Sequence, residues 1–296
     1  MHITKLLFLI LFCSVLGSLS LESNENEEWD LQTSWIVSPR QAKAILNLSG
    51  TVLFDPRNSF RRFRYSLPES IPINWKDWSE PNSPHKGKIL SKERGVSILS
   101  KYNLKEDSWI LVIGAGLDGW GEEGRIVYTL REWGFKRAYW VDGGDTLFLK
   151  EKRFSEISIP KVFTSKIEAF SINKEDIQKS NTSNSLVIID TREEREYKGS
   201  TPYGEDRGGH IPGSRWIYFK DFITEDGRVK SKEEIKSILS KNNIYKESNI
   251  VSYCTGGVRS AFVTGILISY GYSAKNYAGS MWEWSAGIEK DYPLEK

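Results

Sequence analysis

The sequence predicts an α/β protein of two domains, each built on a parallel sheet with helices on both faces. Three observations lead to this prediction. The chain has 296 residues, a length that suits two domains of about 150 residues each. Short apolar stretches typical of buried strands alternate with longer stretches typical of helices. The same series of strand, loop and helix patterns also occurs once in each half of the chain.

The composition is that of an ordinary globular protein. The chain has 41 Lys and Arg against 39 Asp and Glu, a net charge of +2, with both signs mixed along its length. Because no basic stripe is present, we expect no nucleic-acid partner. Two Cys and three His are too few for a disulfide scaffold or a zinc array. No metal or cofactor is implied.

An apolar run near the start predicts a signal peptide. Lys5 precedes the run from Leu6 to Leu16, and small residues follow it, which is the layout of a secretory leader. The run is too short for a helix that spans a bilayer, which needs about 20 residues. We therefore expect residues 1–20 to be removed near Ser20, an exported protein in the periplasm or outside the cell, and no stable membrane span.

The predicted cleavage leaves a single cysteine. Cys13 would depart with the leader, and the bulky Phe12 before it argues against a lipid anchor at that position. Cys254 would then be the only thiol of the mature chain, so no intramolecular disulfide could form. A sole cysteine in an exported protein is a candidate reactive thiol.

The first repeated element is an apolar strand that ends in Asp-x-Arg. Residues 52–57 read VLFDPR and residues 187–192 read VIIDTR. Both are expected to be buried strands whose polar ends emerge at the carboxyl edge of the sheet. We expect Asp190 and Arg192 to pair and to order the neighbouring loop.

The second repeated element places a glycine where the other copy has the cysteine. Residues 107–114 align with residues 247–254, so Gly114 takes the place of Cys254. In each copy a stretch typical of a helix follows and ends at a glycine, as expected for a helix C-cap. The two copies predict a first domain over residues 31–150, a linker over residues 151–163 and a second domain over residues 164–296.

The segment CTGGVRS after the second strand has the pattern of an anion-binding loop. A glycine pair lets successive backbone N–H groups point inward. The start of the following helix and the charge of Arg259 should both favour a thiolate and lower the pKa of Cys254. A buried cysteine beside an ordinary turn is the alternative. The candidate loop consists of Thr255, Gly256, Gly257, Val258, Arg259 and Ser260.

These motifs together resemble the tandem-domain rhodaneses, the thiosulfate and 3-mercaptopyruvate sulfurtransferase family. The resemblance covers nearly all of the predicted mature chain. It rests on the DTR motif at 190–192, GHIPGS at 209–214, the cysteine loop and GSMWEW at 279–284. It implies two rhodanese-like domains, of which the first is inactive and the second catalytic, in agreement with Gly114.

The resemblance also implies a reaction and its partners. A thiolate on Cys254 would take the outer sulfur of a small anionic donor such as thiosulfate, and cyanide or a thiol would then remove it. Arg259 and Arg207 would bind the donor. His210, within a turn motif, is expected to anchor a loop together with Asp190 and Arg192. The protein is expected to act as a monomer.

Three departures leave the donor open. The mercaptopyruvate branch of the family typically has a serine where this chain has Gly256. The thiosulfate branch typically has a second cation inside the loop, which Thr255 and Gly256 do not supply. Glu196 stands where two-domain members often have an arginine.

Two other functions remain as alternatives. Some phosphatases share this fold, but their loop has five residues between Cys and Arg, whereas only four separate Cys254 from Arg259. The shorter loop suits one sulfur atom better than a phosphate. The second alternative is a domain that carries persulfide sulfur or senses redox state without turnover on small donors. A reactive Cys254 that does not respond to thiosulfate would favour it.

Overall fold

The computed structural model describes residues 28–152, 169–181 and 185–296. The predicted signal peptide, Cys13 and most of the predicted linker lie outside the described residues. We call residues 28–152 the first domain and residues 169–296 the second domain. Among the described residues, no helix is long and apolar enough to cross a membrane.

The first domain contains a parallel sheet in the order β1-β5-β4-β2-β3. Helices flank this sheet, and three short 3-10 helices lie at 75–78, 100–102 and 116–118. The strands and helices are β1 (Ile36–Val37), α1 (Pro39–Leu46), β2 (Val52–Asp55), α2 (Ser59–Arg64), β3 (Ile71–Pro72), α3 (Lys92–Leu99), β4 (Ile110–Val112), α4 (Glu122–Glu132), β5 (Ala138–Val141) and α5 (Gly144–Lys150).

The second domain repeats this plan with a parallel sheet in the order β7-β6-β8-β9. A 3-10 helix lies at 219–222. The strands and helices are α6 (Lys174–Asn181), β6 (Val187–Asp190), α7 (Glu194–Tyr197), β7 (Arg215–Trp216), α8 (Lys232–Lys241), β8 (Ile250–Tyr253), α9 (Val258–Ser269), β9 (Ala274–Asn276) and α10 (Ser280–Trp284).

Both sheets are buried on their two faces, as the prediction of a helix layer on each side requires. Because successive strand residues point to opposite faces, Ile110 and Val112 of β4 enter one apolar cluster and Leu111 enters another. In β8, Ile250 and Val251 likewise belong to two different apolar clusters. The predicted α/β class with two parallel sheets is confirmed.

The two domains pack through the helices that follow their central strands. Helix α4 lies against α9, and a Cβ atom on Gly124 would be only 2.5 Å from the Cα atom of Phe262. Phe262 also contacts the ring of Trp140. One apolar cluster therefore continues from the first domain into the second, and it brings the carboxyl edges of both sheets to a shared cleft.

Candidate active site

Cys254 lies at the carboxyl end of β8, where the chain turns into α9. The N-cap residue Gly257 has a left-handed backbone with a φ of 77°. A Cβ atom there would be 2.3 Å from the carbonyl oxygen of Ala278, so this turn requires glycine. Helix α9 begins at Val258.

The loop surrounds the sulfur atom with donors. The N–H of Gly257 donates to Sγ of Cys254 at 3.2 Å, and Oγ of Ser260 lies 3.6 Å from it. Cys254 is only 1% exposed. Burial by itself raises the pKa of its thiol, but Arg259 and hydrogen bonds from Ser260 and Gly256 outweigh burial and lower the pKa below its usual value. The arrangement favours the thiolate form of Cys254 over the thiol.

Arg259 is held in a buried ion pair that sequence reasoning did not anticipate. Its guanidinium binds both carboxylate oxygens of Glu196, at 2.6 and 2.8 Å, and Thr255 donates to the same carboxylate. Burial by itself raises the pKa of Glu196. The hydrogen bonds and the charge of Arg259 outweigh burial and lower this pKa below its usual value, so the carboxyl is charged. Arg259 therefore faces the thiolate as one half of a compensated pair.

Asp190 and Arg192 form a second buried pair behind the loop. Arg192 donates to Asp190 at 2.6 Å and to the carbonyl of Gly209 at 2.7 Å, and both side chains are fully buried. The hydroxyl of Tyr253 donates to the same carboxylate at 2.6 Å. The pair is thus attached to the residue that immediately precedes Cys254.

His210 makes contacts typical of a structural histidine. Its Nδ1 lies 3.0 Å from the backbone carbonyl of Tyr197, and its ring stacks on the Tyr197 ring at 3.7 Å. Its backbone also exchanges hydrogen bonds with Glu295. The histidine therefore ties the chain end to this turn rather than facing the sulfur atom.

Arg207 is bound to backbone carbonyl groups of the C-terminal segment. It does not line the cavity at Cys254. Its guanidinium donates to the backbone carbonyls of Trp284, Ser285, Gly287 and Tyr292. In this structure Arg207 anchors the C-terminal segment, and its assignment to substrate binding stays a prediction.

Both domains build the walls of the cavity at Cys254. Its volume is about 270 Å³. The second domain contributes Thr255, Gly256, Val258 and Arg259 together with Tyr203 and Trp282, and the first domain contributes Trp75, Lys76, Trp120 and Glu122. Four of the eleven lining residues are aromatic. Arg259 is paired with Glu196, and the other two charged wall residues, Lys76 and Glu122, have opposite signs. The cavity therefore carries little net charge.

A larger cavity in the first domain adjoins this one and shares four of its lining residues. Its volume is about 650 Å³, and it occupies the carboxyl edge of the first sheet beside Gly114. The shared residues are Trp75, Lys76, Trp120 and Glu122. Ligands of open α/β sheets bind at this edge, so a bound molecule could extend from Cys254 into the first domain.

The corresponding turn of the first domain has an acidic residue where the second domain has an arginine. Gly121 caps α4 as Gly257 caps α9, so Glu123 falls where Arg259 falls. A Cβ atom on Gly114 would be 2.1 Å from the Glu123 carboxylate. Burial, aided by Glu122, raises the pKa of Glu123 to about 8. The position that corresponds to Cys254 therefore has neither a thiol nor room for one.

The sequence interpretation assigned the loop at 114–125, which contains Trp120 and Glu122, to one wall of the cleft. It did not identify Trp75 and Lys76, which belong to the 3-10 helix at 75–78. No motif marks these two residues, because their position depends on the packing of α4 against α9. Glu196 was noted as a departure from the family pattern, and its charge opposite Arg259 was the available signal.

We expect Glu196→Gln to strengthen thiosulfate binding. Glutamine keeps a hydrogen bond to Arg259 but removes the compensating charge, so Arg259 would attract a dianionic donor and the thiolate more strongly. The KM for thiosulfate should fall severalfold and the pKa of Cys254 should decrease. Steady-state kinetics and the pH dependence of alkylation measure the two effects.

Glu194→Gln is the matched control for this variant. Glu194 lies in the same helix and pairs with Lys198 on the surface. A surface pair of this kind contributes little, so the control should behave as wild type. A KM for thiosulfate that rises in Glu196→Gln would show that Glu196 supports donor binding.

Comparisons with known proteins agree with this geometry. Residues 173–287 match the family model of the rhodanese-like domain. The chain is 24% identical to a thiosulfate sulfurtransferase of Azotobacter vinelandii over 88% of this chain and 96% of that one. It is 24% identical to the human 3-mercaptopyruvate sulfurtransferase over 70% of this chain and 72% of that one.

Two further proteins are similar to this chain, one in sequence and one in structure. The sulfur carrier protein TtuD of Thermus thermophilus is 24% identical over 74% of this chain and 81% of its own length. A structure of EanB with a cysteine persulfide and ergothioneine superposes with a TM-score of 0.72 at 16% identity, covering 88% of this chain and 70% of that one. The last likeness shows a shared fold.

Proposed function

We propose that this chain, whose residues 173–287 match the rhodanese-like domain and which is similar to several sulfurtransferases, transfers a sulfane sulfur from thiosulfate or a related donor through a persulfide on Cys254. The observation that carries the proposal is the Cys254 thiol, buried at the end of β8 with the Gly257 N–H 3.2 Å from its sulfur. Among the described residues, Cys254 is the only cysteine.

The first half of the reaction forms the persulfide. The Cys254 thiolate attacks the outer sulfur of thiosulfate, a new S–S bond forms, and the bond from that sulfur to the sulfonate breaks. Sulfite leaves with the electron pair of the broken bond. The terminal persulfide sulfur bears the negative charge, which the loop N–H groups and the N-terminal end of α9 stabilise.

The second half returns the enzyme to its starting state. Cyanide or a thiolate attacks the terminal sulfur, and the S–S bond breaks with its electron pair returning to Cys254. With cyanide the product is thiocyanate. No net oxidation or reduction of the enzyme occurs over the cycle. Covalent catalysis of this type predicts ping-pong kinetics.

The charges at the site affect which sulfur donor the cavity binds. Glu196 neutralises Arg259, and the remaining free charges of the cavity wall oppose each other, so the electrostatic attraction for a dianion is modest. The aromatic walls suit an organic donor as well. We therefore expect 3-mercaptopyruvate, which has one carboxylate, to compete with thiosulfate as a donor.

The test is to measure thiocyanate formation and enzyme mass together. We expect thiosulfate or 3-mercaptopyruvate to add the mass of one sulfur atom to the protein, and cyanide to remove it again while thiocyanate forms. Enzyme treated first with iodoacetamide is the control and should do neither. Lack of both added mass and turnover with either donor, in a protein that iodoacetamide still alkylates, would refute the proposal.

The second candidate function is that of a sulfur carrier, which the similarity to TtuD favours. In that case Cys254 would accept sulfur from a protein persulfide and pass it on, without turnover of small donors. The mass measurement separates the two functions: a carrier gains one sulfur atom from a protein persulfide but makes no thiocyanate from thiosulfate and cyanide.

A further inference from the structure

Arg125 is a fully buried cation of the first domain that lies against the active-site loop. It belongs to α4 and is 0% exposed. Within the parts of the chain that the structure describes, no carboxylate lies at ion-pair distance from it. The buried arginines of the Asp-x-Arg motifs, Arg57 and Arg192, and the loop arginine Arg259 each have such a partner.

Neutral oxygen atoms hold the Arg125 guanidinium in place. It donates to the carbonyl of Gly257 at 3.1 Å, the carbonyl of Gly87 at 2.6 Å and Oγ of Ser79 at 2.9 Å. It also lies over the ring of Trp75, which lines the cavity at Cys254. These contacts join two segments of the first domain to the catalytic loop of the second.

The contact with Gly257 reaches the nucleophile directly. The N–H of Gly257 donates to Sγ of Cys254, while its carbonyl accepts from Arg125. A Cβ atom on Gly257 would be 2.5 Å from the Arg125 guanidinium, so the two groups are in close contact. Arg125 and the sulfur atom therefore contact the same residue, Gly257, whose carbonyl also accepts from Nδ2 of Asn276 at 3.3 Å.

The other charged groups packed around the loop are largely compensated. Arg259 pairs with Glu196, and the buried Glu283 pairs with Lys88. Glu205 accepts from the backbone of Tyr203 on the far side of Thr255, and Lys76 and Glu122 oppose each other at the cavity wall. Arg125 therefore contributes a positive charge that no described carboxylate cancels.

Charge attraction between Arg125 and Cys254 is consistent with this geometry. Burial lowers the pKa of Arg125 to about 10, and the charge of Cys254 acts in the opposite direction. An arginine with such a pKa remains protonated at neutral pH. Because the attraction between two groups is mutual, the same charge stabilises the thiolate.

We propose that Arg125 is a positioning residue of the Cys254 site, which fixes the Gly257 end of the loop and supplies from the first domain the second cation that the loop itself lacks. This inference rests on the proposed function, in which the thiolate and the persulfide are the charged states to be stabilised. It makes the first domain, which has no cysteine at the corresponding position, a part of the active site.

The test compares Arg125→Gln, Arg125→Lys and wild type by the rate at which uncharged iodoacetamide alkylates Cys254 across pH. We expect Arg125→Gln to raise the apparent pKa of Cys254 by about one unit, which lowers the alkylation rate about tenfold well below that pKa. Arg125→Lys keeps the charge and should restore most of the rate. Because alkylation needs no sulfur transfer, the result stands apart from the proposed function.

Arg131→Gln is the matched control. Arg131 lies in the same helix, is also buried, and donates to the backbone carbonyls of Ala138 and Ser34. Both glutamine variants should lose thermal stability, but only Arg125→Gln should change the pH profile. A profile for Arg125→Gln that matches wild type or Arg131→Gln would overturn the proposal.

If Arg125→Gln does not fold, Arg125→Lys decides the question through turnover. Lysine preserves the charge but cannot reach the three oxygen atoms with the geometry of a guanidinium. We expect a nearly wild-type alkylation profile with a kcat for thiocyanate formation reduced severalfold and KM little changed. A wild-type kcat in Arg125→Lys would show that the loop does not depend on Arg125 for its position.

Discussion

Cys254→Ser is expected to lower thiocyanate formation by about four orders of magnitude or more, and to abolish the added sulfur mass. A serine hydroxyl is far less acidic than a thiol and cannot form a persulfide, so the covalent route is lost and only weak binding effects remain. Thiocyanate assays with thiosulfate and cyanide, together with intact-mass analysis, measure both losses.

Cys13→Ser in the full chain is the matched control for this variant. Cys13 is the other of the two cysteines in the sequence and lies outside the described residues. We expect its replacement to leave turnover unchanged. Because serine is nearly isosteric with cysteine, Cys254→Ser should also keep its melting temperature within a few degrees. Retention of more than about 1% of the wild-type rate would exclude Cys254 as the obligatory nucleophile.

Asp190→Ala is expected to destabilise the protein by about 3–5 kcal/mol, the range for loss of one partner of a buried ion pair. Arg192 would remain fully buried with the Gly209 carbonyl as its only oxygen partner among those described. The hydroxyl of Tyr253 would lose its acceptor as well. Urea unfolding followed by circular dichroism measures the loss, and activity should fall with it because Tyr253 precedes Cys254.

Asp55→Ala in the first domain is the comparison variant that tests whether the buried ion pair causes this loss of stability. Asp55 occupies the same motif position in the first domain and is also buried, but Arg57 has a second carboxylate partner in Asp145 at 2.6 Å. Asp55→Ala therefore leaves Arg57 paired and should cost clearly less than Asp190→Ala. Equal losses in the two variants would mean that the ion pair is not the source of the effect.

The comparison of the two domains also shows what the repeat could and could not predict. The alternation of apolar strands with helices, and the glycine turns after them, gave the two parallel sheets and placed Cys254 at a carboxyl edge. The same alignment of Gly114 with Cys254 could not reveal that Glu123 occupies the space beside Gly114. That contact depends on side-chain packing at the start of α4.

Arg207 and Arg259 illustrate the same limit for charged residues. Both were expected to bind the donor, Arg259 because of its charge in the cysteine loop and Arg207 because family members often have a substrate-binding arginine at that position. Arg259 does line the cavity, but Glu196 neutralises it. Arg207 is committed to backbone carbonyls near the chain end. A motif fixes the position of a residue along the chain. The group that its side chain binds can belong to any residue that the fold brings near.

The sequence by itself determined the fold class, the repeat of the parallel sheet and the position of Cys254 in a glycine turn after a strand, because periodicity, turn residues and the loop motif act over a few neighbouring positions. Only the tertiary structure decided the surroundings of that nucleophile. Arg125 reaches Gly257 across 132 positions of sequence, and the aromatic walls come from both domains. These contacts exist because α4 packs on α9, and the exact fit of two helices is set by three-dimensional packing that no local pattern encodes.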